Sequence, residues 1–362
     1  MTRSFASVSL QDIAARTNVT PRTVARVLSG DYVARQPKAV ERANRIRQVA
    51  DELGFRPNAT ARAMKRGRFN TVGYVSFMFE DGTEGNGEYF AKVSGVVMAA
   101  ICRTLADHGR QLNYSLVRQT DLAEGRMPAV IREAMVDALV LDGSGLLPDL
   151  VLAEVERYRI PHVAINLRRE FDCVHPDDVG STRLGTRALL EAGHRRIAMI
   201  NNSHGKKFRD HYSVEDRAAG YLELMQEAGL KPIVLRTPTI NPRHGDSDPT
   251  PILEMLRAPD RPTALITYEE GQAHQAYLAA VRLGLEVPRD LSIITVHRSS
   301  EFADLPRLDG KTFDTMHAPE DQIGLAAADM VLQKSRQPDV PLPAVSIAFK
   351  HTRGATLAPP SS

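Results

Sequence analysis

The stretch from Ser9 to Gly30, SLQDIAARTNVTPRTVARVLSG, signals a helix start twice, and this leaves the front of the chain little freedom in how it folds. Ser9 with Asp12 three residues on is a capping-box signature, so a helix is expected from Leu10. Leu10, Ile13 and Ala14 then share one face at helical spacing. Thr17-Asn18-Val19 breaks the run, after which Thr20 serves as N-cap and Pro21 takes the first helical position, where its missing N–H costs nothing. The second helix turns Val24, Val27 and Leu28 inward and ends at Gly30. Two short helices joined by a tight turn follow the helix-turn-helix plan. Many pairs of short amphipathic helices share that outline. Arg22 and Arg26 set this pair apart, because they lie one turn apart on the outer face of the second helix, with side chains long enough to reach base edges in a major groove.

A third helix is expected from Lys38 to Leu53, with Val40, Ala43, Ile46, Val49, Ala50 and Leu53 inward and Gly54 as its stop. The next segment reads FRPNATARAMKRGR. Pro57 cannot continue the preceding helix and Asn58 can cap a new one. The stretch from Ala59 to Arg66 is basic and too short to hold a helix alone in water, so it needs something to fold against. DNA together with a second copy of the chain would serve. Charge follows the same division: the first seventy residues hold fourteen Lys and Arg against five acids, whereas the whole chain holds 46 against 44. A cationic head therefore sits on an acidic body, and only the head is suited to releasing counterions from phosphates.

These residues resemble the LacI-type family of bacterial transcription regulators. The resemblance rests on the V-T-x-x-T-V-x-R-V-L run from Val19 to Leu28, the G-F-R-P-N-A run from Gly54 to Ala59, and the hinge motif Ala61-Arg62-Ala63-Met64. It implies major-groove reading by Thr20, Pro21, Arg22 and Arg26, phosphate positioning by Thr23, and a minor-groove hinge helix that includes Asn58, Arg62 and Met64. Met64 stands where the family has a leucine that wedges between base pairs; it is apolar and unbranched, so it fits the same role with a less defined shape. Ala25 replaces a serine that usually contacts phosphate.

Nearly three hundred residues follow the head, enough for two ordinary domains with full cores. Strand-like runs (Val72 to Phe79, Leu112 to Val117, Val136 to Leu141, Pro161 to Ile165) alternate with helix-like ones, and a second set runs from the Ser181 helix to the Leu291 to Val296 strand. The expected fold class is therefore α/β: an all-α helix-turn-helix head plus a two-lobed core of parallel sheets with a cleft at the strands' carboxyl ends. The core resembles the periplasmic-binding-protein-like domain of the same family, through Gly193-His194-Arg195-Arg196-Ile197-Ala198, Asp216-Arg217-Ala218-Ala219-Gly220-Tyr221 and Gly284-Leu285-x-Val287-Pro288. The expected domains are a DNA-binding head at 1–57, a hinge and linker at 58–70, and an effector-binding and dimerisation domain at 71–362. No apolar run is long enough to span a bilayer, and Cys102 and Cys173 are not spaced as a zinc pair. A reduced cytoplasm is the expected setting, with no metal and no cofactor.

The resemblance also implies an effector set of Phe90, Asn166, Arg217, Glu269, Glu270, His297 and Arg298. Arg217 falls on the family's ligand-gripping arginine. Glu269-Glu270 replaces a usual Asn-Asp, and His297-Arg298 replaces an aspartate pair that commonly holds a hydroxyl or base nitrogen. That change turns acceptors into donors and tilts the expectation toward a sugar acid or sugar phosphate. Pairing of His297 or Arg298 with Glu269 or Glu270 would instead leave the ligand's charge undecided.

Neither a phosphate-binding G-x-x-x-x-G-K-[ST] loop, nor H-E-x-x-H, nor G-x-S-x-G is present, so no catalytic residues are assigned. The expected protein is a homodimeric transcription regulator, and a repressor is favoured. It binds a pseudo-palindromic operator under the control of a sugar-like effector. A sugar-binding transport component or sugar-modifying enzyme on the same core is the alternative; the basic head argues against transport.

Overall fold

The computed structural model describes residues 8–29, 32, 36–58, 63, 67–78, 86–145, 147–203, 211–238, 248–297, 310 and 312–361, with backbone alone for 78, 86–94, 145, 203, 238 and 297. The chain divides into two compact units, Met1–Phe69 and Asn70–Ser362.

Helices α1 (Leu10–Thr17), α2 (Pro21–Leu28) and α3 (Pro37–Glu52) build the first unit. Both halves of the expected capping box form at α1: the Asp12 N–H donates to Ser9 Oγ at 3.3 Å and the Ser9 N–H donates to Asp12 Oδ2 at 2.8 Å. Asn18 closes α1 in the left-handed region at φ 52°, a conformation asparagine tolerates better than most residues, and this turns the chain into α2. Ile13, Ala14, Val24, Val27, Ala43, Ile46, Val49 and Ala50 interlock as the core. Val40 does not join them; it is 41% exposed, because the inward stripe of α3 begins one turn later, at Ala43.

The second unit contains two sheets. In the first lobe, β1 (Thr71–Met78), β2 (Gln111–Arg118), β3 (Ala138–Asp142), β4 (His162–Ile165), β5 (Cys173–Pro176) and β11 (Val345–Ile347) run in the order β11-β5-β4-β3-β1-β2, all parallel. In the second, β6 (Ile197–Ser203), β7 (Ile233–Pro238), β8 (Ala264–Thr267), β9 (Ser292–His297), β10 (Asp314–His317) and β12 (Lys350–Thr352) run in the order β12-β10-β9-β8-β6-β7, with β12 alone antiparallel. Both are doubly wound arrangements, whose strand-order reversal opens a crevice at the carboxyl ends of the strands.

The chain crosses between lobes after β5, after β10 and again after β11. Helices α4 (Asn86–Asp107), α5 (Gln119–Ala123), α6 (Ala129–Arg132) and α7 (Asp149–Arg157) belong to the first lobe. Helices α8 (Asp178–Glu191), α9 (Tyr212–Glu227), α10 (Thr250–Arg257) and α11 (Glu270–Arg282) belong to the second. The last helix, α12 (Glu320–Lys334), returns to the first lobe, where Ile323, Ala327 and Val331 pack with Val97, Ile101 and Leu105 of α4. The α6 helix is a single turn ending at Arg132, since Val136 turns toward the first-lobe core and β3 begins at Ala138.

Candidate nucleic-acid interface and effector cleft

The α2 N-terminus is built by two threonines. Thr20 Oγ1 accepts from the Thr23 N–H at 3.3 Å, and the two hydroxyls lie 3.0 Å apart. Val24 and Val27 hold the opposite side of the helix in the core, so Pro21, Arg22 and Arg26 are exposed together. Thr23 is half-buried. The Arg26 guanidinium lies 5.2 Å from the Tyr32 ring centroid, a cation–π contact that restrains its stem. Asn58 is exposed at the end of the described head segment. Arg62 and Met64 lie outside the described residues.

At the carboxyl ends of the first-lobe strands, Tyr74, Asp142, Ser144, Ile165, Asn166 and Glu320 help line a small cavity that is partly open to solvent. Its polar wall is internally bonded. Tyr74 donates to Asp142 Oδ2 at 2.8 Å, the Ser144 N–H donates to Asp142 Oδ1 at 2.9 Å, and Asn166 Nδ2 donates to Ser144 Oγ at 3.0 Å. Asn166 is buried and adopts φ 50°.

On the second lobe, Arg217 projects from α9 and is fully buried. Its Nε donates to Asp178 Oδ1 at 2.7 Å, its Nη1 donates to the Tyr268 carbonyl at 2.5 Å, and its guanidinium lies 4.3 Å from the Tyr268 ring centroid. Among the described residues, Arg217 Nη2 and Asp178 Oδ2 have no hydrogen-bond partner. Tyr268 is fixed in turn by Ser213 Oγ, 2.7 Å from its hydroxyl, and by Gln272 Oε1, which accepts from its N–H. Glu269 and Glu270, just beyond β8, are buried, and Glu270 approaches His274 Nε2 at 3.7 Å. Phe90 and His297 are described by backbone alone, on α4 and at the end of β9, and Arg298 lies outside the described residues.

Four second-lobe side chains of this region, Asp178, His211, Tyr212 and Tyr268, had no sequence signal of their own. The Arg217 helix starts at Tyr212, with His211 as N-cap accepting from the Ser213 N–H. Asp178 follows Asp177, whose carboxylate caps α8 by accepting from the Gly180 N–H. Burial lifts the Asp216 carboxyl above its ordinary range; Arg168 opposes that shift and the Asp178 charge adds to it.

Residues 9–58 match the bacterial regulatory proteins of the lacI family, and residues 186–356 match the periplasmic binding protein-like domain. The chain is thus similar to lacI-family regulators at its head and to periplasmic binding protein-like domains in its core. It is 27% identical over 339 residues to the HTH-type transcriptional repressor PurR of Edwardsiella ictaluri, covering 90% of each chain. Identity to the PurR repressor of Klebsiella pneumoniae is also 27%, over 343 residues and 90% of each chain. The fold superposes on the lac repressor dimer bound to operator and the anti-inducer ONPF with a TM-score of 0.75 at 18% identity, covering 97% of this chain and 99% of that one. It superposes on the CelR–cellobiose complex with a TM-score of 0.65 at 21% identity, covering 97% and 100%. The match at the head and the match in the core fall on the two compact units of the structure. Among its described residues no helix is long and apolar enough to cross a membrane.

Proposed function

We propose that this protein is a homodimeric, sequence-specific repressor of the lacI type whose operator affinity is set by a small hydroxylated ligand held between the lobes. The observation that carries the reading is α2 itself: a capped helix with its valines in the core and Arg22 and Arg26 exposed side by side. Those arginines read base edges while Thr20, Pro21 and Thr23 set the helix start against the backbone. Residues 58–70 act as the hinge, with Asn58, Arg62 and Met64 in the minor groove and Met64 as the wedge.

Asn166, Arg217, Glu269 and Glu270, joined by Phe90, His297 and Arg298, make up the effector set. The sequence favoured an anionic ligand. The described cleft supports a neutral sugar instead, because Asp178 already offsets the Arg217 charge and Asp142 and Glu320 add carboxylates to the first-lobe wall. The unpartnered Arg217 Nη2 and Asp178 Oδ2 suit a hydroxyl, which both accepts and donates. Cellobiose in one solved relative agrees with that chemistry. A ligand preferring one lobe arrangement by about 1–3 kcal/mol would give an ordinary allosteric response.

A thermal-shift panel of neutral sugars, sugar acids and sugar phosphates on the full chain tests the reading, since a bound ligand raises apparent stability. A neutral sugar should raise the Tm and change operator affinity. Stabilisation by charged sugars alone would overturn the neutral assignment, and a stabilising sugar with no effect on operator binding would overturn the regulatory one.

A further inference from the structure

The lobes are bonded to each other beside the cavity, and the bonds converge on Asn166. The His211 Nε2–H donates to the Asn166 carbonyl at 3.1 Å, and the Tyr212 hydroxyl donates to Asn166 Oδ1 at 3.2 Å. His211 and Tyr212 stand at the start of α9 in the second lobe, whereas Asn166 follows β4 in the first. The Tyr212 ring also lies near two histidines, with centroids 4.4 Å from His211 and 6.2 Å from His175. A further bridge, Arg168 to Asp216 at 2.5 Å, also crosses between the lobes, but Arg168 is mostly exposed and the pair is screened by solvent.

Asn166 therefore has two roles at once. Its amide nitrogen bonds Ser144 in the cavity wall, and its amide oxygen receives the second-lobe hydroxyl. Behind Tyr212 a chain of bonds continues inward: His211 Nδ1 to Ser213 Oγ at 2.7 Å, Ser213 Oγ to the Tyr268 hydroxyl at 2.7 Å, and the Tyr268 carbonyl to Arg217 Nη1. A polar group entering the cavity and bonding Asn166 would alter the same amide that Tyr212 holds.

We propose that His211 and Tyr212 clasp Asn166 and report the state of the first-lobe cavity to the start of α9. This rests on reading the cleft as the effector site, and adds the residues through which occupancy becomes lobe movement.

Hydrogen–deuterium exchange on the full chain, without DNA or sugar, tests it. Tyr212→Phe removes one hydroxyl and keeps the ring; backbone exchange across 164–168 and 211–217 should rise at least threefold. Tyr221→Phe is the comparison, because its hydroxyl bonds Ile197 within one lobe; it should leave 164–168 unchanged. Ser144→Ala, made wholly in the first-lobe wall, should accelerate 211–217 across the lobe boundary, and should add nothing in the Tyr212→Phe background. Unchanged exchange at 164–168 in Tyr212→Phe, or at 211–217 in Ser144→Ala, would overturn the clasp. Because no ligand is used, a failed sugar panel would count against the effector reading alone.

Discussion

Arg217 and Asp178 form an ion pair, Nε to Oδ1 at 2.7 Å, with both side chains wholly buried. Such a pair stabilises little against a well-packed apolar replacement, but breaking it strands a charge. Asp178→Ala should therefore cost about 3–5 kcal/mol in denaturant unfolding of the core. The double variant Asp178→Leu with Arg217→Met should cost less than Asp178→Ala alone. Equal or greater loss in the double variant would mean that the pair is net stabilising. Arg217→Ala should also abolish any sugar-induced change in operator affinity while the protein still binds DNA.

The α2 face makes a separate prediction. Arg22→Ala should relax base preference at one or two operator positions, at a cost of about 1–3 kcal/mol. Competition binding with single-base operator variants measures this. Equal losses on operator and random duplex would place Arg22 on phosphate instead.

Acid should weaken the core through two histidines. Burial pushes His162 and His194 below the ordinary histidine value of 6.5. His194 is buried, its Nδ1 2.9 Å from Thr263 Oγ1 and its Nε2 2.9 Å from the Ala358 carbonyl. The unfolded chain takes up the proton first, so their contribution is complete above about pH 6.5 and is lost as pH falls through the lower folded-state values. Melting curves at pH 7.5 and pH 5.5 should show a lower Tm at the acid value, and His194→Gln should narrow the gap. An unaltered gap would exclude His194 from the effect.

In the first lobe, Lys334 Nζ donates to Asp172 Oδ2 at 2.8 Å and to the Val340 carbonyl at 2.9 Å, while Asp172 Oδ1 accepts from the Leu342 N–H. Asp172→Asn keeps the shape and the left-handed backbone but removes the charge facing a buried ammonium. It should cost about 1.5–3 kcal/mol, the range for hydrogen bonds to charged groups. Loss below about 0.5 kcal/mol would mean that solvent already screens Lys334.

The head was legible because its signals are local. Ser9, Asp12, Thr20 and Pro21 act through hydrogen bonds or backbone restrictions within one turn, and all four behave as the sequence suggests. Val40 failed because apolar spacing says nothing about where a helix first meets its neighbours. The alternation of strands and helices gave the two lobes, yet α12 and β11 return to the first lobe from far along the chain, a pairing that no local pattern encodes. The cleft divides in the same way. Arg217 was visible in a motif, whereas its partner Asp178 lies 39 residues away and Tyr268 51 away, brought together by packing. That neutralising partner had no signal beside Arg217 in the sequence.

Selection of duplexes from a random pool by the full chain, followed by affinity measurement at fixed moderate salt, separates a head that reads bases from one that only grips phosphate. A two-fold symmetric site should be enriched and bound at least ~10³ times more tightly than a scrambled duplex, a preference that Arg22→Ala narrows. A chain that enriches no sequence, or that binds both duplexes equally, would contradict base reading by the head.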